Sequence, residues 1–349
     1  MRVLIVEDSR VVRARLVALL RGDGIELETA EDGEAGVARA VAWQPAVVLM
    51  DLRLPKLDGL SAIAAIMRAR PCPIIVLSGA LDAERRFEAL RSGAVEVVDK
   101  AQALAPEGAT TDLLHLVKLY ANARVIRRAS GAAPPVHLRR ALEVVSATHT
   151  PASVPLARPE LLVIGASTGG PPVLSELLAM LPAASGVPVL IAQHIEPGFV
   201  EALARWLSRS GWPTQIAKAG GRPVPGEVRI SPAHASLFLQ PDGRFGLKPA
   251  DPNPAQPSPS VDCLFQSVAA CRGVHAAGVL LTGMGDDGAR GLFAMRQAGA
   301  LTFAQDEASC VVFGMPGAAV RLGAAQFVLP PAGIGGALRL RLRLKPRTP

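Results

Sequence analysis

Five polar residues in the first hundred positions each follow a short apolar run. Glu7 and Asp8 follow Val3–Val6, Asp51 follows Ala46–Met50, Ser78 follows Ile74–Leu77, and Lys100 comes just after Val95–Val98. Three carboxylates that converge repel one another unless a hard cation neutralises them, and Mg²⁺ favours carboxylate and carbonyl oxygens plus waters. A cation held in this way can bridge an incoming phosphoryl group, leaving one carboxylate as the nucleophile that forms an aspartyl phosphate. Lys100 supplies a point charge for a phosphate oxygen, and Ser78 a hydroxyl that can follow it. The competing reading is local: Asp8 and Ser9 could be helix N-caps.

A second group of residues suggests different chemistry. Gly165-Ala166-Ser167-Thr168-Gly169 is a G-x-S-x-G sequence lying between the apolar run Leu161–Gly165 and a helix-like segment, Pro172–Met180. Glycines permit the sharp turn that lifts a serine hydroxyl out of a sheet. A serine needs a base, and His194 ends the run PVLIAQH. The base needs an orienting acid, and Asp286 and Asp287 follow VLLTGMG. Taken singly, these motifs have plainer readings: a phosphate-binding turn, a hydrogen-bonded loop histidine and an Asp-Asp-Gly turn. Together on matching strand ends they point to a serine hydrolase, since a triad is defined by geometry and not by chain order.

The elements that must position these residues alternate. Strand-like runs and helix-like segments such as Val11–Leu20 and Leu60–Met67 interleave through about residue 125, with a weaker strand at Glu26–Thr29 and a closing helix at Thr111–Arg128. This predicts a parallel sheet covered by helices, with its ligand crevice at the carboxyl ends of the strands. Residues 129–159 hold five prolines and little periodicity, which reads as a linker, with room for a short helix around Val136–Val145. Alternation then resumes. Strands are predicted at Leu161–Gly165, Pro188–Gln193, Glu227–Ile230, His275–Leu281, Leu301–Ala304 and Gln326–Leu329. Helices are predicted at Pro172–Met180, Phe199–Ser208, Val261–Cys271 and Gly288–Ala298. Pro249–Pro259 reads as a surface loop. The alternating tail LRLRLRLK is compatible with an edge strand or an extended docking tail.

Composition narrows the classes. The 349 residues are 50% hydrophobic and 19% charged, enough apolar material for two cores and too much for general disorder. No apolar run approaches the ~20 residues of a membrane helix. The N-terminus meets Glu7 and Asp8 too early for a signal peptide. The four cysteines, Cys72, Cys263, Cys271 and Cys310, form no C-x-x-C pair, which argues against a zinc cluster or a disulfide framework. The expectation is a cytoplasmic protein with free thiols and no membrane insertion. The net charge of +7 is concentrated: residues 124–158 carry six arginines and one glutamate, and the last eleven residues carry five basic groups and no acid. The rest of the chain is therefore acidic overall, and no nucleic-acid partner is expected.

The motifs VEDS, VVLMDLRLPKLDGL, VLSG and VDK resemble the receiver domain of two-component response regulators. That resemblance implies Asp51 as phosphoacceptor, Ser78 and Lys100 as phosphate-sensing residues, and Mg²⁺ bound by Glu7, Asp8, Asp51 and the backbone carbonyl of Arg53. Two positions depart from the family pattern: Val97 stands where receivers carry an aromatic switch residue, and Ala101 where the lysine is usually followed by proline. The motifs IGASTGGP, AQHIEPGF, PSVDCLFQSVA, LLTGMGDDGARGL and AQDEASCVVFGMP resemble the bacterial chemosensory protein-glutamate methylesterase family, CheB. That resemblance implies Ser167 as nucleophile, His194 as base and Asp287 as orienting acid. The Met284 and Thr168 amides are the candidate oxyanion donors, and the esterase reaction requires no cofactor. The family's arginine-containing region before PSVD reads Asn253-Pro254-Ala255-Gln256-Pro257-Ser258, without a basic residue.

The implied architecture is α/β throughout. Residues 1–125 form a flavodoxin-like receiver with a doubly wound five-stranded parallel sheet. A linker spans 126–158, and a doubly wound α/β methylesterase domain spans 159–345. The implied substrates are methyl esters, and glutamines, of methyl-accepting chemoreceptors. The implied phosphodonor is a chemosensory histidine kinase, and phosphorylation of Asp51 would relieve a block on the esterase crevice. The alternatives are a DNA-binding response regulator and a catalytically idle regulator that only docks on receptors.

Overall fold

The structure, a computed structural model, describes the chain apart from residues 23, 80–82, 105–108, 122–157, 196–197, 251–257, 272, 274 and 343–349. The described residues fall into two compact units, one within Met1–Ala129 and one within Ser130–Pro349. The possible helix at Val136–Val145 lies outside the described residues.

In the first unit five strands, β1 (Arg2–Val6), β2 (Glu26–Ala30), β3 (Val47–Met50), β4 (Ile74–Ser78) and β5 (Glu96–Asp99), pair in the order β2-β1-β3-β4-β5. Every pairing is parallel. The central strands are buried along nearly their whole length, as expected of a parallel sheet covered on both faces. The covering helices are α1 (Arg10–Leu20), α2 (Gly33–Trp43), α3 (Gly59–Ala69), α4 (Ala83–Ser92), the short α5 (Lys100–Ala103) and α6 (Ala109–Ala121). Side chains start three of them: Ser9, Asp32 and Asp58 accept from Val12, Ala35 and Ser61 amides, each satisfying a donor the first helical turn leaves free. The α1 cap is therefore Ser9, and Asp8 is left exposed. Strand order reverses between β1 and β3, where a doubly wound sheet opens a crevice beyond its carboxyl ends.

The second unit is built on a seven-stranded sheet of order β14-β13-β12-β6-β7-β9-β8. The strands are β6 (Leu161–Ala166), β7 (Val189–Gln193), β8 (Thr214–Ile216), β9 (Val228–Ile230), β12 (Ala276–Leu280), β13 (Leu301–Gln305) and β14 (Phe327–Leu329). All of these pairings are parallel. The six expected strands are present, each within a residue or two of its predicted ends. The sequence reading missed β8 and an antiparallel hairpin of β10 (Ala235–Leu239) and β11 (Phe245–Pro249). The hairpin overlaps the start of the expected Pro249–Pro259 loop.

Helices α7 (Gly170–Met180), α8 (Val200–Ser208), α9 (Val261–Ala270), α10 (Ala289–Gln297), α11 (Met315–Arg321) and α12 (Pro331–Arg341) cover the sheet. Val261, Leu264, Phe265 and Val268 of α9 pack with Leu292 and Met295 of α10 on Val163 and Leu190 in one buried cluster. Neither alternative for the tail, edge strand or extended docking tail, holds where it begins: Leu338–Arg341 continue α12, and residues 343–349 lie outside the described residues. Ile334, Ala337 and Leu338 are buried at helical spacing, and Arg339 donates to the Met180 carbonyl of α7 at 2.8 Å. Burial of that face decides the helix over the period-2 pattern: Arg339 and Arg341 are half-buried, and Leu340 is the exposed residue between them. The order of strand addition reverses at β6: β7 lies on one side of it and β12 on the other, placing the switch point between β6 and β12.

Candidate active site

Ser167, His194 and Asp287 follow β6, β7 and β12, which are neighbours in the sheet order, so all three leave the sheet at the switch point. The Ser167 turn is tight. Its amide donates to the Thr282 carbonyl at 3.0 Å, and its carbonyl accepts from Gly170 at 2.8 Å. Gly169 closes the turn at φ 74° and precedes α7, which starts with prolines in its first turn. That φ is where only glycine is unstrained, and Pro suits the opening turn of a helix. Gly283 lets a second loop come close: a Cβ there would lie 2.3 Å from Met315 Sδ and 2.6 Å from Ser167 Cβ.

His194 Nε2 lies 2.8 Å from Asp287 Oδ2, which leaves Nδ1 as the nitrogen free to serve the serine. Among the described residues, Ser167 Oγ makes no hydrogen bond to His194; such contacts are often loose before substrate binds. Asp287 is the most strongly held of the three. Oδ2 also accepts from the Val261 amide at 2.7 Å, and Oδ1 accepts from Asp262 N at 2.9 Å and Ser260 Oγ at 3.1 Å. The carboxylate thus sits on the first turn of α9, where unpaired amides and the helix dipole favour negative charge. Burial alone would raise the Asp287 pKa; the bonds from His194, Asp262 and Val261 outweigh it and hold the group below the ordinary carboxylate value. Asp286 is exposed. The sequence reading quoted PSVD without giving it a role. Its serine is both the N-cap of α9 and a ligand of Asp287, and the Ser-x-x pattern before an apolar run was the available signal.

The two candidate oxyanion peptides are both oriented through their carbonyls. The Gly283 carbonyl accepts from Gly314 at 3.1 Å and Met315 at 2.9 Å. The Ser167 carbonyl accepts from Gly170 at 2.8 Å and from Gln193 Nε2 at 2.9 Å. A trans peptide is planar, so fixing a carbonyl points the next N–H the opposite way. The Met284 and Thr168 amides are therefore set in direction, and neither has an acceptor among the described residues. Thr282, fully buried, joins the two loops: its hydroxyl donates to the Thr168 carbonyl at 3.0 Å and accepts from Val311 at 3.1 Å and Val312 at 3.0 Å. The Met284 side chain is 45% exposed beside this point.

In the first unit, Glu7, Asp8 and Asp51 present carboxylate oxygens that all lie within 4.8 Å of one another. Lys100 Nζ is 2.7 Å from both Glu7 Oε2 and Asp51 Oδ2. Burial, reinforced by Asp51, pushes the Glu7 carboxyl up despite the opposing lysine. Burial alone would lower Lys100, but its bonds to Asp51 and Glu7 hold it above the ordinary lysine value. One lysine against three carboxylates leaves excess negative charge, and oxygen-only donors suit a hard divalent cation. Ser78 Oγ is buried with no hydrogen-bond partner among the described residues. Arg53 donates its amide to Asp51 Oδ1 at 3.3 Å. Val97 is buried in β5, and Ala101 donates its amide to Asp99 at 2.7 Å.

Residues 162–338 match the family described as CheB methylesterase, and residues 3–106 match the response regulator receiver domain. The chain belongs to the CheB methylesterase family. A protein-glutamate methylesterase/protein-glutamine glutaminase of Nitrosospira multiformis is 38% identical over 348 residues, covering 96% of this chain and 95% of the relative. One from Geobacter metallireducens is 41% identical over 346 residues, covering 97% of each. A crystal structure of the Thermotoga maritima CheB methylesterase catalytic domain is 35% identical and covers 52% of this chain and 97% of that one, with a TM-score of 0.49. Matches to CheB relatives span both units, so receiver and esterase belong to one protein design. Among the described residues, no helix is long and apolar enough to cross a membrane.

Proposed function

We propose that this CheB-family chain hydrolyses glutamate methyl esters, and deamidates glutamines, on methyl-accepting chemoreceptors, with Ser167, His194 and Asp287 as its catalytic set. The observation that carries this reading is the 2.8 Å His194–Asp287 pair on strands flanking the Ser167 strand. Ser167 Oγ attacks the ester carbonyl carbon while His194 takes the hydroxyl proton. Asp287 holds the ring in one tautomer and stabilises the imidazolium. The tetrahedral oxyanion lies against the Met284 and Thr168 amides. As it collapses, the carbon–methoxy bond breaks, and His194 returns its proton so that methanol leaves. Water then attacks the acyl-Ser167 ester by the same proton route, freeing the glutamate and the serine. With a glutamine substrate, ammonia leaves in place of methanol. Acid-quenched mixtures with a methylated receptor peptide should yield the acyl ester on the Ser167 peptide in mass spectrometry; acylation of a different residue contradicts the assignment.

Magnesium fits the receiver cluster, held by Glu7, Asp8, Asp51 and the Arg53 carbonyl. Bound there, it would screen the carboxylates and the incoming phosphoryl group from each other. Asp51 is the nucleophile: its oxygen bonds phosphorus as the phosphorus–nitrogen bond of a kinase phosphohistidine breaks. Lys100 then faces the new phosphate oxygens, and the Ser78 hydroxyl, without a partner among the described residues, is available to donate to one. The two buried acids give the site its charge and Lys100 keeps that charge from being prohibitive, so the receiver stores a poised, asymmetric cluster. Replacing Asp51 with Asn leaves basal esterase activity intact and abolishes its stimulation by acetyl phosphate with Mg²⁺. Stimulation that survives in the variant contradicts phosphorylation at Asp51. A cytoplasmic location follows from this reading, because both kinase and receptor signalling helices lie there.

Gly283→Ala tests the loop approach. The added methyl must displace Ser167 or Met315, and misplacement of a nucleophile by about 1 Å costs about 10²-fold in rate. The expected result is that order of loss in kcat with the fold retained by circular dichroism. An unimpaired variant means that the two loops need not approach as closely as described.

A further inference from the structure

The side chain of Gln193 is not among the groups that carry the reaction, yet it touches the backbone of two of them. Gln193 is the last residue of β7 and is 2% exposed. Its Nε2 donates to the Ser167 carbonyl at 2.9 Å and to the His194 carbonyl at 2.9 Å. One amide group thus spans the ends of two adjacent strands, tying the nucleophile's loop to the base's loop. Both acceptors are carbonyls, so the amide can face them only with its NH₂. The other end, Oε1, is buried with no hydrogen-bond partner among the described residues. It lies against Gly170, where a Cβ would come within 2.3 Å of it. Leaving a buried acceptor unpaired costs stability. An apolar residue of similar length would avoid that cost, so the amide's value lies in what its NH₂ holds.

We infer that Gln193 is a positioning residue that aims the Thr168 amide at the oxyanion and fixes the spacing of Ser167 and His194. The inference rests on the esterase reading above. The Ser167–Thr168 peptide is planar, so the donor on its carbonyl sets the direction of the Thr168 N–H. The Gly170 amide alone fixes that carbonyl only from within the same turn. Gln193 fixes it from the neighbouring strand, and the same NH₂ registers the peptide that follows His194. The glycine at 170 leaves the room that the amide needs.

The test uses the full chain with methylated receptor membranes as substrate. Gln193→Met keeps the length and removes both bonds; Gln193→Glu is nearly isosteric and replaces the donor with an acceptor. Folding is checked by thermal melting, so a variant that unfolds is replaced by the other. The expected result is a kcat about 10–10²-fold lower, since a donor is misaimed but not removed, with KM unchanged. Phenylboronic acid, which forms a tetrahedral anionic adduct on a serine, should bind more weakly by the same factor as kcat/KM falls. A merely structural role would not couple these two losses. Wild-type kcat in both folded variants overturns the inference, as does a fall in kcat with unchanged boronate affinity. If wild type itself shows no release that depends on Ser167, the esterase reading fails and the inference fails with it. A working wild type with an indifferent Gln193 overturns the inference alone.

Discussion

Ser167→Ala lowers kcat for methyl-ester hydrolysis by about 10⁴–10⁶-fold, the loss seen when a serine hydrolase loses its nucleophile. The fold should not register the change. Ser167 Oγ makes no hydrogen bond among the described residues, while the backbone bonds that shape the turn, to Thr282, Gly170 and Gln193, are independent of the hydroxyl. The Cβ that packs by Gly283 is kept. The variant therefore separates chemistry from folding: an unchanged melting temperature with a nearly abolished rate. The residue of activity comes from the amide donors and binding, which survive. A loss below about 10²-fold would remove Ser167 from its role, because remaining groups cannot replace a nucleophile.

Asp287→Asn has the second largest expected effect, a fall of about 10⁴-fold in kcat, and the hydrogen bonds explain why an isosteric change is so costly. Each carboxylate oxygen accepts from two donors: Oδ2 from His194 and Val261, Oδ1 from Ser260 and Asp262. Whichever way an amide is turned, its NH₂ meets an N–H or O–H. Facing His194, it also forces the wrong tautomer; facing Asp262, it breaks the start of α9. The loss should therefore appear in stability as well as rate. The native pKa of Asp287 lies below its ordinary value, so its contribution is complete above that ordinary value. It drains away as pH falls through the lowered native value. Acid unfolding of wild type should show that drain and Asp287→Asn should lack it. Equal acid dependence in the two proteins would mean that the Asp287 charge is not what α9 holds.

Much of this was legible in the sequence because strand ends carry chemistry in doubly wound sheets. The runs Leu161–Gly165, Pro188–Gln193 and His275–Leu281 are apolar since both faces of a parallel strand are covered, and they lead within two residues to Ser167, directly to His194, and into the Thr282–Asp287 loop. The same logic located Glu7, Asp51, Ser78 and Lys100. Three-residue β8 offered no period to read, and the hairpin strands ASLFL and FGLKP lack clean alternation. The helix at the start of the tail was not among the two alternatives, because leucine and arginine alternate there. The helical set Ile334, Ala337 and Leu338 lay partly upstream of that alternation, behind glycines that disfavour a helix in isolation. The roles of Ser260, Thr282 and Gln193 were not legible. Beyond any local bonds, each reaches a backbone or carboxylate group brought near by the fold, between 26 and 114 positions away in sequence.

The measurement that tests the central claim most directly is methanol release from membranes carrying a methylated cognate receptor, with wild type and Ser167→Ala compared with and without acetyl phosphate and Mg²⁺. The account predicts release by wild type that rises with the phosphodonor and is lost in Ser167→Ala under both conditions. Equal release from folded Ser167→Ala, or none from folded wild type on a cognate receptor, would contradict it.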